Sequence, residues 1–270
     1  MTANFKACGV ISLTTDFGHR GPFIGTMKGV MLSAAPMLKI IDLTHEIHVH
    51  WPAEAGFWLH RSFSYFPKGT VHLAVVDPGV GTDRSVLVVL AQGHVFIAPD
   101  NGLLAEVIEA YRGVVIRVSE EALTRYSLDK ISATFHGRDI FAPLAAAIAS
   151  DKVSIGELGE QTQDYIPSLI DPPELQNGRL KGLIITSDNF GNLISNIDEQ
   201  LLENFNNPTV IAGGHELSVV RTYGDATPGE LLCLINSSGV LEIACAEQSA
   251  VEALGIGRGS PITVVESGRP

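Results

Sequence analysis

The chain has no run of about 18 apolar residues, so no membrane-spanning helix is expected. It has no Lys/Arg cluster, and its 18 basic residues face 30 acidic ones, for a net charge of -12. That balance argues against a nucleic-acid partner, because binding a phosphate backbone needs a basic footprint. Only three cysteines occur, Cys8, Cys233 and Cys245. They are odd in number, far apart and without metal-ligand spacing, so they read as small buried or edge residues in a reducing compartment. No long apolar stretch follows the basic residue of Met1-Thr2-Ala3-Asn4-Phe5-Lys6. No signal peptide is therefore expected, and the cytoplasm is the default location. Internal repeats and low-complexity tracts are also missing. Gly79-x-Gly81 and Gly255-x-Gly257-x-Gly259 fit neither a dinucleotide fingerprint nor a P-loop, and read as turns.

What is present is a globular composition, 45% hydrophobic and 18% charged over 270 residues. That length buries one large core or two modest ones. The first half alternates strands and helices. Val10–Thr14, Leu38–Leu43, Val71–Val76, Val86–Ala91, Val95–Ala98 and Val114–Val118 read as strands. Gly21–Ala34, Pro52–Tyr65, Leu103–Tyr111 and Phe141–Ser150 read as helices. This order predicts an α/β domain, residues 1–164, with a largely parallel central sheet. A Pro-rich stretch, 165–178, reads as a linker. Beyond it, short strands follow closely: Leu180–Thr186, Thr209–Ala212, Glu216–Val220, Leu231–Ile235, Leu241–Cys245 and Pro261–Val265. They predict a smaller all-β, barrel-like domain over 179–270.

Chemistry concentrates at a few strand ends. Asp16 follows Val10–Thr14, and Asp77 ends the apolar run of Val71–Val76; open α/β sheets bind ligands at such exits. Asp16 is either an acceptor for a ribose diol or a turn or cap residue for the next helix. Arg84 lies seven residues after Asp77, and His136 lies in Thr134-Phe135-His136-Gly137-Arg138-Asp139. An acid, a guanidinium and an imidazole at one rim are enough to position and deprotonate a water. The bland readings are a loop salt bridge for Asp77–Arg84 and a satisfied core histidine for His136. Phe135 is either a core aromatic or a ring that stacks on the ligand. Asp188-Asn189-Phe190-Gly191-Asn192 is a polar turn, which Asx hydrogen bonds alone would explain. His45, His48, His50 and His60 with Asp42 invite a metal reading, but their spacing suits no regular helix or strand face. No metal is expected.

Seven short strings together resemble the S-adenosyl-L-methionine hydroxide adenosyltransferases, relatives of the fluorinase and chlorinase enzymes. They are Thr14–Gly18, Ile41–His45, Asp77–Gly81 with Arg84, Ala98–Gly102, Thr134–Asp139, Ser187–Asn192 and Asn236–Gly239. Each is weak alone, but all seven occur in the family's order across nearly the whole chain. The resemblance implies hydrolysis of S-adenosyl-L-methionine to adenosine and L-methionine. Asp77, Arg84 and His136 would handle the water, and Asp16 would hold the ribose. Phe135 and Gly137 would line the pocket. Asp188 would pair with the α-amino group, Asn192 would hydrogen-bond the adenine or the amino-acid portion, Phe190 would belong to the substrate site, and Ser237 and Ser238 would line the adenine. Ser238 stands where fluorinase carries an arginine. The family also forms homotrimers with sites at subunit interfaces. No cofactor is implied, since S-adenosyl-L-methionine is the substrate.

The nucleophile separates the readings. The halogenating relatives carry a serine where this chain has Gly137, and a tyrosine where it has Asp77. Losing a hydroxyl and gaining a carboxylate disfavours halide and favours water. A chlorinase-like halogenase and a non-catalytic binder of adenosyl ligands are the alternatives.

Overall fold

The computed structural model describes residues 5–268 and divides into two compact units, one ending at Ile170 and the other beginning at Asp171. The N-terminal stretch considered above lies, in its residues 1–4, outside the described part. The first unit contains β1 (Val10–Thr15), α1 (Phe23–Ala34), β2 (Lys39–Thr44), α2 (Pro52–Ser62), β3 (Val71–Val75) and β4 (Val86–Ala91). It continues through β5 (His94–Pro99), α3 (Ala105–Tyr111), β6 (Val114–Val118), α4 (Glu120–Tyr126), α5 (Ala142–Ala149) and β7 (Gly159–Gln161). Its sheet runs β2-β1-β3-β5-β4-β6-β7. The first four strands in that order are parallel, and the pairings from β5 through β4 and β6 to β7 are antiparallel.

The switch of direction has a local cause. Gln92 and Gly93, between β4 and β5, both take positive φ, 52° and 82°. A two-residue connection of that kind joins only antiparallel neighbours. Of the parallel strands, β1, β3 and β5 are buried on both faces, which is why β3 and β5 read as nearly continuous apolar runs, whereas β2 at the sheet edge is largely exposed. Alternate residues divide between two cores. Val71, Leu73 and Val75 pack with α1 and α5 on one face. Ala74 and Val76 pack with α2 and α3 on the other. The result is a three-layer α/β/α unit.

The second unit contains β8 (Glu174–Gln176), β9 (Arg179–Ser187), β10 (Leu193–Asp198), α6 (Glu199–Leu202), β11 (Pro208–Ala212) and β12 (His215–Ser218). Then come β13 (Leu231–Ile235), β14 (Val240–Cys245), α7 (Ala250–Leu254) and β15 (Pro261–Glu266). Its antiparallel sheet runs β12-β11-β15-β9-β10-β14-β13, with β8 on β9. A bridge between Val219 and Cys233 brings the two ends of that order together, so the sheet nearly closes into a barrel around one core. The stretch expected to be a linker thus contributes a short strand, β8, paired to β9. β10 escaped the sequence pattern because it buries polar residues mid-strand. Ser195 donates to the Leu241 carbonyl at 2.7 Å, and Asn196 Oδ1 accepts from Leu183 N–H at 2.9 Å across an irregular register. α4 was also missed, although Ser119 caps it by accepting from Ala122 N–H.

One buried polar group in the first unit has a thermodynamic consequence. His72, fully buried on β3, shares hydrogen bonds with Ser12 Oγ at 2.6 Å and His94 Nδ1 at 3.1 Å. Burial, with the neighbouring His94, pushes its pKa down to about 3. The folded chain therefore refuses a proton that the unfolded chain accepts near pH 6.5. This contribution is complete above pH 6.5 and is lost as pH falls from there toward 3. Between pH 7 and pH 5 it should cost about 2 kcal/mol. Urea unfolding of His72→Gln should show that much less loss over the same interval. An unchanged pH dependence would mean that His72 does not carry it.

Candidate active site

β1 and β3 are parallel neighbours, and their register pairs Thr15 with Val75. The residues just beyond, Asp16 and Asp77, therefore leave the sheet side by side at its carboxyl edge. Asp16 does not cap α1, whose N-cap is Pro22 and has no side-chain cap bond. Instead its Oδ2 accepts from His50 N–H at 2.9 Å, and His50 holds a left-handed φ of 61° to make that contact. Asp16, Asp77, Phe135, His136 and Gly137 all line one cavity of about 290 Å³.

The turn after β3 folds back and brings Arg84 to Asp77. Arg84 Nε donates to both Asp77 oxygens at 3.0 Å, and Nη2 donates to Oδ2 at 2.5 Å. Nη2 also lies 3.0 Å from His136 Nδ1. A guanidinium has no acceptor, so Nδ1 must accept and the ring proton sits on Nε2. His136 is buried, and its pKa is lowered by burial first and by the Arg84 charge second, against opposing pulls from Asp77 and Asp139. It is neutral near pH 7. Asp77 and Arg84 therefore cancel in charge, while His136 Nε2–H and Arg84 Nη1 remain as donors.

One close approach and one buried carboxylate set this geometry. Gly81 has φ 81°, and a Cβ there would meet the Ala133 carbonyl oxygen at 2.4 Å. Only a glycine lets the turn after β3 press against the segment that carries His136. That segment is tied down by Asp139, fully buried, which accepts from Ser132 N–H at 2.8 Å and from both Arg138 Nε and Nη2. Burial would raise the Asp139 pKa, but these bonds and the Arg138 charge outweigh it and hold the group below the usual range. A wide helical turn, Gly137–Phe141, then leads into α5, with Ala142 N–H bonded to the Gly137 carbonyl. Such turns recur at functional sites.

The rings of Phe17, Phe23 and Phe135 meet edge to face, at centroid distances of 5.4 to 6.1 Å. All three line the same cavity. A Cβ at Gly137 would lie 3.3 Å from Met27 Sδ and Phe135 Cε2, and 3.4 Å from Phe17. The space for a serine there is largely filled.

The second unit has its own cavity, of about 800 Å³, lined by Asp188, Phe190, Asn192 and Tyr223 among others. Asp188 Oδ1 accepts from Phe190 and Asn192 N–H, and Oδ2 accepts from Asn192 Nδ2, each at 2.9 Å. The Asx turn of the bland reading is thus real. Both Asp188 and Asn192 remain among the residues that line the cavity. Gly191 has φ 83°, and a Cβ would collide with Ser249 Oγ. Ser237 and Ser238 sit on the β13–β14 turn, where Ser238 N–H donates to Asn236 Oδ1 at 2.9 Å; neither lines this cavity.

The closely spaced histidines go to separate partners. His45 bonds Thr15 and Asp42, His48 bonds Glu54, and His60 bonds Glu106. Among the described residues no three His, Cys, Asp or Glu side chains form a group able to hold a metal.

Models of the SAM hydroxide adenosyltransferase N-terminal and C-terminal domains match residues 11–159 and 182–263. The chain belongs to the SAM hydroxide adenosyltransferase family. A Salinispora tropica relative named (R)-S-adenosyl-L-methionine hydrolase is 36% identical, over 94% of this chain and 97% of its own. A Thermus thermophilus relative of the same name is 34% identical, over 93% and 97%. A solved structure of a conserved Thermotoga maritima protein superposes with TM-score 0.87, at 33% identity, covering 95% of this chain and 100% of that one.

For a SAM hydroxide adenosyltransferase, the cavity adds residues that sequence reasoning passed over. His50 orients Asp16 through its backbone, which no side-chain pattern signals. Phe17 lay inside the quoted Thr14–Gly18 string, but only the aspartate was given a role. The His136 environment is directly testable. Replacing Arg84 by Gln removes the cation that lowers the His136 pKa and exposes it to Asp77. NMR titration should find His136 below the ordinary histidine range in the wild type and shifted upward in Arg84→Gln. No upward shift would break the proposed contact.

Proposed function

We propose that the protein hydrolyses S-adenosyl-L-methionine to adenosine and L-methionine. The observation that carries this reading is the Arg84 guanidinium bonded to both Asp77 and His136, two residues that line a cavity of about 290 Å³ at the carboxyl edge of parallel strands. The relatives' printed name, (R)-S-adenosyl-L-methionine hydrolase, agrees with it.

In this reading, Asp16 accepts the ribose hydroxyls and Phe135 stacks on the ligand and excludes bulk water. A water sits against Arg84 and His136 Nε2–H. Its oxygen forms a bond to the ribose 5′ carbon while the carbon–sulfur bond breaks opposite, and the electron pair leaves on sulfur as neutral methionine. Free hydroxide is not required: the water becomes strongly acidic as its oxygen bonds to carbon, and Asp77 Oδ1 takes the proton. Arg84 and His136 fix the position of the water through their donors, the Asp77 carboxylate stabilises the positive charge that develops on its oxygen, and holding the reactants in line supplies much of the acceleration. The sulfonium is its own leaving group, so the step calls for no metal or redox cofactor. Asp188 pairs with the substrate's ammonium, Asn192 and Phe190 bind beside it, and Ser237 and Ser238 border the adenine.

Water rather than halide follows from Gly137 more than from Asp77. The Asp77 charge is compensated by Arg84, so the repulsion expected from sequence is muted. The missing serine hydroxyl is the stronger bar, and a side chain gained there would need Met27, Phe135 and Phe17 to give way slightly. We place the enzyme in the cytoplasm, consistent with three free cysteines, and read it as a homotrimer whose sites combine the first unit of one subunit with the second unit of another.

Incubation with S-adenosyl-L-methionine in ¹⁸O-water, with and without chloride, should give adenosine labelled at the 5′ hydroxyl. Unlabelled adenosine would exclude the displacement, 5′-chloroadenosine would favour halogenation, and intact ligand would favour a binder. Shared sites make a further prediction. Asp77→Ala and Asp188→Ala should each be inactive alone, yet regain part of the activity when co-expressed. Purified mixed oligomers no more active than either parent would rule out shared sites.

A further inference from the structure

The second unit buries a carboxylate that the reaction above does not use. Glu242 lies mid-strand on β14, only 3% exposed, and its cross-strand neighbours are Leu234 and Ile194, both buried. A carboxylate in such a place is costly, and an apolar side chain of similar volume would be easier to accommodate. Glu242 is nonetheless fully engaged. Oε1 accepts from the Tyr223 hydroxyl at 2.6 Å, and Oε2 accepts from Asn236 Nδ2 at 3.0 Å.

One partner lines the unit's cavity, and the other opens the turn to which the proposed function assigns the adenine. Tyr223 lines the same cavity as Asp188 and Asn192. It begins a short helical turn, Tyr223–Asp225, braced by reciprocal bonds between Thr222 and Asp225. Asn236 opens the β13–β14 turn, where its Oδ1 accepts from Ser238 N–H at 2.9 Å and from Val240 N–H at 3.4 Å. One buried carboxylate therefore anchors a cavity wall with one oxygen and the serine turn with the other. Tyr223 spends its hydroxyl on Glu242, so its ring face is what remains for the cavity.

We propose that Glu242 is a positioning residue for substrate binding, holding the Tyr223 ring and the Asn236–Gly239 turn in fixed relation, and that Tyr223 is a further binding residue. This rests on the hydrolase reading. Burial raises the Glu242 pKa, the bonds from Tyr223 and Asn236 oppose that, and Asp188 adds to the rise. Tyr223 is likewise pushed up, by burial first and by Glu242 second, so it stays a neutral donor.

The test compares Glu242→Gln, Glu242→Leu and Tyr223→Phe by steady-state kinetics with S-adenosyl-L-methionine, adenosine calorimetry and melting temperature. Glu242→Gln can still accept from Asn236 and donate to Tyr223, so its KM should stay within about threefold of wild type. Glu242→Leu should raise KM and the adenosine Kd about tenfold or more, with kcat little changed. Its melting temperature should hold, because the leucine joins Leu234 and Ile194. Tyr223→Phe keeps the ring but loses the anchor, and should raise KM about threefold to tenfold. Wild-type KM in both Glu242→Leu and Tyr223→Phe overturns the proposal, as does a lowered melting temperature with KM unchanged. If Glu242→Leu does not fold, Tyr223→Phe decides alone. A wild type that binds adenosine without turnover refutes hydrolysis but leaves the adenosine Kd series to read the network. A wild type that binds neither ligand overturns both readings.

Discussion

The bond on which the first site depends is the contact between Arg84 and His136. It joins segments 52 residues apart and fixes three chemical facts at once. It makes Nδ1 an acceptor and so places the imidazole proton on Nε2. It adds to burial in keeping the histidine neutral, by setting a permanent cation beside it. It also commits Nη2 to two partners, Asp77 and His136, and so orients the guanidinium plane. Tautomer, charge and orientation are then built in before any ligand arrives, which is the condition for electrostatic preorganisation.

The rest of the first unit serves that contact. Parallel pairing of β1 and β3 delivers Asp16 and Asp77 to the same edge. The turn after β3 returns Arg84, and Asp139 stiffens the segment that brings His136 to meet it. Each step depends on a residue that touches no reacting atom. The second unit works differently: its acidic residue, Asp188, spends most of its hydrogen-bonding capacity on its own turn. Its field reaches the cavity while its position is fixed by its backbone neighbours.

Much of this was legible in the sequence. The strand exits at Asp16 and Asp77 followed from apolar runs that stop at an acid. The change from alternating elements to closely spaced strands marked two architectures. Other features were illegible for physical reasons. The His50 contribution is a backbone N–H in a left-handed conformation, and composition carries no trace of it. β10 hides its strand character because Ser195 and Asn196 are satisfied by the backbone of the neighbouring strands β14 and β9 rather than by solvent. Glu242 looks like any acidic residue on a strand until its two partners, 19 residues before and six before, are seen to converge. That Asp16 does not cap α1 emerges only from the fold, because α1 starts too far on.

Gly137 bears on how such a site can change over generations. Its missing side chain is matched by three neighbours already in contact range, Met27, Phe135 and Phe17. A serine introduced there first would press on those groups before its hydroxyl could serve a new nucleophile. A smaller residue at Met27 or Phe17 introduced first would open a void in a working enzyme. The order of substitutions therefore matters, because a side chain gained at Gly137 needs its three neighbours to give by a few tenths of an ångström. Two chemistries that differ by a few atoms are in this way coupled through packing, so that what one position can become depends on what Met27, Phe135 and Phe17 can yield.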